Sequence, residues 1–209
     1  MNSVFIQIGT NDGNDEFLLR VKKDKPDFVI LIEPNKVWND TIRKNYEGVA
    51  NIVILNIAIT EKSQDSVTLY IPQVDKTGLA KNGYGYGSNN FSILPMDDWG
   101  NDLVEMKVVG KTLMEVCNNY GICTIDFLAI DTEGYDAQII KSIDFSMLNI
   151  KELEFETWDF PEEAFSRHGD KKKEYGVNST KIIYEILTNA GYVIEACKVD
   201  KMNRIAKKV

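Results

Sequence analysis

Three short stretches of this chain carry side chains suited to binding or catalysis. The first, Gln7-Ile8-Gly9-Thr10-Asn11-Asp12-Gly13, sets two glycines four apart directly after an apolar run. Glycines so placed let the backbone turn tightly and approach a ligand, while a following helix offers unbonded N–H groups. An ordinary strand-to-helix turn looks the same, so this stretch alone is ambiguous. The second, Glu33-Pro34-Asn35, stands about two dozen residues beyond Gly9, where a carboxylate can accept both hydroxyl hydrogens of a ribose. Turn and spaced acid together point to a nucleotide-like ligand more than to a mere exposed strand-end glutamate. The third, Ile130-Asp131-Thr132-Glu133-Gly134-Tyr135-Asp136, crowds three acids around a glycine. Carboxylates there would face a cation or take a proton from an attacking hydroxyl. Asp136 has a plainer use, since an acid in the first turn of a helix favours its dipole. Glu154 and Glu156 flank Phe155, so strand alternation sets both on the face away from that ring, with Glu156 nearer the carboxyl end.

A glycine turn with a spaced acid serves dinucleotides and S-adenosylmethionine (SAM) alike. A nicotinamide-binding turn would read G-x-G-x-x-G, and position 11 is Asn11; no Tyr-x-x-x-Lys pair occurs either. Gly110-Lys111-Thr112 imitates the end of a P-loop, but the leading glycine is replaced by Glu105. The formal charge of −8, from 24 basic and 32 acidic residues, argues against duplex nucleic acid as a partner. The only compact basic run, Lys171-Lys172-Lys173, reads as a solvated loop. Cys117, Cys123 and Cys197 form no CxxC pair and leave an odd count, which fits reduced thiols in a cytoplasmic setting. No apolar run is long enough to span a bilayer, and Met1-Asn2-Ser3 leading straight into an apolar segment makes a secretory signal unexpected.

The elements that must position these residues alternate between strand and helix. Val4–Ile8 and Phe28–Ile32 read as strands, the latter wholly apolar and so buried on both faces of a parallel sheet. Asp15–Lys23 reads as a helix between them. Asn35 is the expected N-cap of a second helix, with Val37, Trp38, Ile42 and Tyr46 on one face. Ile52–Ile59 is expected as a single third strand. An insertion over residues 66–110 then breaks the rhythm, with Val67–Ile71 and Met106–Val109 as an antiparallel pair around a glycine- and asparagine-rich loop. Thr112 and Glu115 form a capping box for the next helix. Phe127–Ile130 and Glu152–Phe155 are further strands, with a helix over Ala137–Ile143. A polar loop covers 158–178, followed by a helix over Ser179–Ala190 and a hairpin of Tyr192–Cys197 with Arg204–Val209. The pattern implies one α/β domain over 1–209: a doubly wound, mostly parallel, seven-stranded sheet ending in an antiparallel hairpin. The first strand starts so close to the N-terminus that the domain reads either as free-standing or as cut from a longer polypeptide. Ligands of such sheets lie beyond the carboxyl ends of the strands, where all three stretches fall.

Taken together, these residues resemble the FkbM-type family of SAM-dependent methyltransferases. The most specific piece is Phe127-Leu-Ala-Ile-Asp131-Thr-Glu133-Gly134-Tyr-Asp-Ala-Gln-Ile-Ile-Lys141, similar to that family's "kIDvEGyE…vlkG" segment. Thr112-Leu113 resembles its "TLD" segment, and Gly85-Tyr-Gly87-Ser88-Asn89 its glycine–serine loop. The resemblance implies a Rossmann-like class I fold that binds SAM and methylates a hydroxyl. By it, Gly9, Asn11 and Gly13, with Gln7 and Thr10 beside them, would shape the pocket for the methionine portion. Glu33 with Pro34 would hold the ribose, and Asn56 and Ala58 would lie by the adenine. Ser88, Asp131 and Glu133 complete the implied donor site. The family's first motif usually opens with an acid, where this chain has Gln7, which accepts a hydrogen bond without the charge.

For the chemical step, Asp131 is the first candidate for general base, and His168, the only histidine, the second. Asp131 with Glu156 could instead hold a divalent cation that acidifies the hydroxyl. Tyr84, Tyr86, Phe91, Trp99, Trp158 and Phe160 gather in the insertion and the polar loop. Aromatic faces with polar handles suit sugars, so a sugar or glycan hydroxyl is the expected acceptor, ahead of another small metabolite. A non-catalytic SAM- or nucleotide-binding module is the alternative from another class. Oligomeric state is not legible.

Overall fold

The structure is a computed structural model that describes residues 3–72, 103–157, 179–197 and 203–209. Its main sheet is built from β1 (Val4–Ile8), β2 (Phe28–Ile32), β3 (Ile52–Leu55), β7 (Thr124–Ile130), β8 (Asn149–Glu156), β9 (Tyr192–Ala196) and β10 (Asn203–Lys208). The spatial order is β3-β2-β1-β7-β8-β10-β9. The first five pair in parallel, and β10 runs antiparallel to both β8 and β9. The doubly wound seven-stranded sheet expected from the alternation is therefore present.

Alternation of side chains along β1 and β2 divides the core in two. Ile6, Ile8, Ile30 and Ile32 face α3 (Leu113–Asn119), α4 (Asp136–Lys141) and α5 (Ser179–Asn189). Phe5, Val29 and Leu31 face α1 (Glu16–Asp24) and α2 (Asn39–Asn45), where Phe5, Phe17 and Phe127 stack edge and face. Both faces are covered, which is why β2 reads as an unbroken apolar run and β1 as one interrupted only by Gln7. Asp15 caps α1 by accepting from the Leu18 N–H, and Thr112 and Glu115 cap α3 reciprocally. Gly110 ends a strand and Thr112 is that cap, so the P-loop imitation is accounted for structurally. Among the described residues no helix is long and apolar enough to cross a membrane.

Three local expectations are corrected. Asn35 caps a single 3-10 turn, Lys36–Trp38, and not the helix itself; α2 starts afresh at Asn39. Val37 consequently points outward, while Trp38, Ile42 and Tyr46 pack inward as expected. The run Ile52–Ile59 is two strands, because Asn56 breaks it: its amide donates to the Glu33 carbonyl (2.7 Å) and exchanges hydrogen bonds with the Asn39 amide. The second piece, β4 (Ala58–Ile59), leaves the main sheet and pairs in parallel with β6 (Leu103–Lys111). With β5 (Gln64–Pro72) antiparallel to β6, the inserted pair is thus a three-stranded sheet ordered β4-β6-β5.

Candidate active site

Register decides where the chemistry falls. Leu55 pairs with Ile32, Ile32 with Ile8, Ile8 with Ile130, and Ile130 with Phe155, so the five parallel strands finish level. The next residue of each is Asn56, Glu33, Gly9, Asp131 and Glu156. Five candidates scattered through the sequence therefore form one row across the carboxyl edge of the sheet. Its centre, between β1 and β7, is where the strand order reverses and where ligands of such sheets bind.

Gly9 and Asp131 meet at that centre. The Asp131 N–H donates to the Ile8 carbonyl (2.9 Å), and a Cβ on Gly9 would stand 1.7 Å from the Asp131 carbonyl oxygen. Gly9 also has φ of +86°, so the turn there needs glycine twice over. Thr10 is buried against the Ile32 carbonyl, and Gly13 closes the turn with its N–H on the Thr10 carbonyl. Asn11, at φ +53°, donates its N–H to Glu33 Oε2 (2.7 Å).

Glu33 stands directly after β2. It is fully buried, with Oε2 taken by the Asn11 N–H and Oε1 by the Asn35 N–H, each at 2.7 Å. Through these two bonds it laces the glycine turn to the loop after β2. Pro34 is buried beside it, Ala58 is buried in β4, and the Asn56 amide is engaged as described above.

Beyond β7, Asp131 is exposed at the strand end, with neighbouring protein and carboxylates crowding its carboxyl. Burial raises its carboxyl well above the ordinary range, and Asp136, Glu133, Glu156 and Asp15 push the same way. Glu133 adopts φ of +53°, a conformation that a non-glycine side chain rarely takes, next to Gly134 at +96°. The role of Asp136 is more than that of a first-turn acid. Its Oδ1 accepts from the Thr132 N–H (3.0 Å) and hydroxyl, and its Oδ2 from the Glu156 N–H (2.9 Å). One buried carboxylate thus holds the ends of β7 and β8 together and fixes the loop that carries Asp131 and Glu133.

These buried acids make a prediction about pH. Burial lifts Glu33 to about 8 and Glu133 and Asp136 to about 7. Between the ordinary carboxylate pKa near 4 and these values the folded protein binds more protons than the unfolded chain, so stability falls as pH rises. The ligand-free Tm should drop by ~5 °C or more from pH 5 to pH 8, since ~1 kcal/mol moves a domain of this size by ~2–4 °C. A Tm that climbs over this interval would contradict the burial of these groups. Cation binding favours the ionised forms, so SAM should bind more tightly at pH 8 than at pH 6, and more steeply with pH than S-adenosylhomocysteine, which lacks the sulfonium charge, does.

Ser88, His168 and the six aromatic residues expected around the acceptor lie outside the described residues. Among the described residues no group of three or more His, Cys, Asp or Glu is arranged to hold a metal ion. The reading from residues alone missed Asp136 as a brace and the bond between Gln7 and Asp15 (Nε2 to Oδ2, 2.6 Å). The only sequence signal for the latter was an N-cap acid two residues past the glycine turn.

Comparison with known proteins agrees with this geometry. No curated protein sequence matched. Among solved structures, a putative caffeoyl-CoA O-methyltransferase from Staphylococcus aureus superimposes with a TM-score of 0.52 at 11% identity, covering 100% of this chain and 77% of that one. A precorrin-6y C5,15-methyltransferase from Geobacter metallireducens GS-15 gives 0.46 at 11% identity, over 99% and 80% of the two chains. A SAM-dependent methyltransferase from Aquifex aeolicus gives 0.41 at 13% identity, over 98% and 80%. The first likeness carries the Rossmann-like methyltransferase fold. The family model for the methyltransferase FkbM domain matches residues 7–194, from the residue before the glycine turn's strand end to the last strands of the sheet. The chain belongs to the FkbM family of SAM-dependent methyltransferases.

Proposed function

We propose that this protein transfers the methyl group of SAM to a hydroxyl oxygen, with Asp131 as the proton acceptor and a sugar or glycan as the acceptor substrate. The observation that carries the reading is the level row of strand ends, in which an accessible Asp131 abuts the glycine turn and is backed by Glu133, Asp136 and Glu156. The chain's residues fit the donor: a tight turn at Gly9–Gly13 for its backbone approach, an electronegative floor for its positive charge, and a buried Gln7 oxygen still in need of a donor. Glu33 then acts at the ribose through the loops that it laces, with a second lone pair on each oxygen.

When bound, SAM would supply a methyl carbon on a positively charged sulfur, to be passed to the acceptor oxygen with S-adenosylhomocysteine as the leaving group. Asp131 would take the proton that the acceptor hydroxyl gives up. A carboxyl held above its ordinary pKa is a stronger base once ionised, and the neighbouring cation favours that ionisation. Alignment by the turn and the strand-end row adds to this, worth up to ~7–11 kcal/mol in well-oriented pairs. A divalent cation between Asp131 and Glu156 is the second version of the same step. The acid-rich balance speaks against duplex nucleic acid as substrate, and the three free cysteines suit a cytoplasmic setting.

The test is mass spectrometry of a panel of sugars, glycans, catechols, amines and thiols incubated with protein and SAM. The expected result is a singly methylated sugar with equimolar S-adenosylhomocysteine. Turnover confined to amines or thiols would overturn hydroxyl transfer. Turnover of catechols alone would move the acceptor to another class of metabolite. Donor binding without turnover of anything would favour the non-catalytic module.

A further inference from the structure

The position where this family usually carries an acid is occupied here by Gln7, and the structure shows where the missing charge stands. Gln7 lies near the carboxyl end of β1 and is only 4% exposed. Its Nε2 donates to Asp15 Oδ2 at 2.6 Å, a bond that joins the two sides of the Gly9–Gly13 turn at its base. Asp15 uses its other oxygen to cap α1, accepting from the Leu18 N–H at 3.1 Å. An ionised carboxylate can only accept, so the amide must turn its NH2 towards Asp15 and its carbonyl oxygen away. That oxygen, Gln7 Oε1, is buried and meets no donor among the described residues. The Tyr46 hydroxyl, whose ring lies under Gly13, is buried without a partner among them as well, within the field of Asp15.

A buried acceptor left unmet is unfavourable, and a cationic N–H donor is the partner that relieves it most. The donor of this family, cradled in the same turn, carries one such group, the α-ammonium of its methionine portion. We propose that Asp15 supplies the negative charge that recognises the donor's ammonium group, acting through Gln7, whose Oε1 meets the ammonium directly or across one water. Asp15 is on this view a positioning and charge-supplying residue; Gln7 is the one that faces the ligand. The carboxylate has moved from the strand to the helix cap, and the amide carries its influence back. The charge also reaches the far side of the turn, where it contributes to holding the Asp131 carboxyl up. The inference rests on the SAM reading and adds to it a residue outside the glycine motif.

The test compares two ligands by calorimetry: S-adenosylhomocysteine, which has the α-ammonium, and 5′-methylthioadenosine, which lacks the amino-acid portion. Asp15→Asn keeps the N-cap oxygen for Leu18, removes the charge and sets an NH2 where Oδ2 accepted from Gln7, so the Gln7 amide turns over while the fold should persist. It should weaken S-adenosylhomocysteine by about tenfold, the difference between a charge-assisted and a neutral hydrogen bond, and leave methylthioadenosine within twofold. The exchange Gln7→Glu with Asp15→Asn returns one carboxylate and one amide to the same place and should recover most of the lost affinity. Asp15→Asn that weakens both ligands equally, or neither, would overturn the inference, as would failure of the folded exchange variant to recover. A wild-type protein that binds neither ligand would instead overturn the donor reading itself.

Discussion

Asp131→Asn is expected to lower kcat for the acceptor found by the substrate panel by ~10²-fold or more, while KM for SAM and the Tm change little. The substitution keeps the shape of the side chain and both backbone contacts, the N–H on Ile8 and the carbonyl against Gly9. What it removes is the one accessible carboxylate at the centre of the strand-end row. It also removes a like charge from a crowded neighbourhood, so folding stability should hold or rise, which separates a chemical defect from a folding one. The two versions of the step part on one further measurement. Activity abolished by a chelator and restored by magnesium would assign Asp131 and Glu156 to a cation, and indifference to chelator would assign Asp131 to proton transfer. Near-normal kcat in Asp131→Asn would sink both, leaving alignment or His168 to carry the reaction.

How much of this was legible in the sequence follows from how local each cause is. Val4–Ile8 and Phe28–Ile32 were readable to the residue, the first as a short β-rich run closed by Gly9 and the second as the wholly apolar run that burial on both sheet faces demands. The Thr112–Glu115 box was readable because capping is chemistry between neighbours in sequence. The row of functional positions followed from the strands, since Gly9, Glu33, Asn56 and Asp131 each sit one step past a strand end and Glu156 is the last residue of its strand. What escaped the reading depends on partners brought near only by the fold. The break at Asn56 arises from Asn39 and the Glu33 carbonyl, which the apolar run Ile52–Ile59 does not reveal. Asp136 reads as a helix-turn acid until the pairing of β7 with β8 delivers the Glu156 N–H to it. Glu33 reads as a strand-end ribose ligand, and only the fold brings the Asn11 N–H onto it as well. In each case the residue type was noticed and its partner was not.

Gly9→Ala should be the most damaging single methyl group that can be added to the described part of this protein. The new Cβ would lie 1.7 Å from the Asp131 carbonyl oxygen, well inside contact distance, and that oxygen is backbone at the end of a central strand. A flexible side chain could swing aside, but here β1 and β7 must separate. Overpacking of this kind is unfavourable by ~1–3 kcal/mol or more, and the positive φ adds ~1–2 kcal/mol for a residue with a Cβ. The sum, ~4 kcal/mol, is a large fraction of the ~5–15 kcal/mol that holds a typical domain folded, and should lower the Tm by ~10 °C. Gly121→Ala isolates the smaller term: its φ is +66°, yet nothing lies within 4 Å of the added carbon. It should lower the Tm by only a few degrees. Equal losses in the two variants would mean that the turn tolerates a methyl and that the Gly9–Asp131 contact is not tight. If Gly9→Ala alone is severe, any folded fraction should also be catalytically poor, because the displaced atom belongs to Asp131. The glycine would then serve catalysis by fixing where the carboxylate stands, with no contact to the substrate at all.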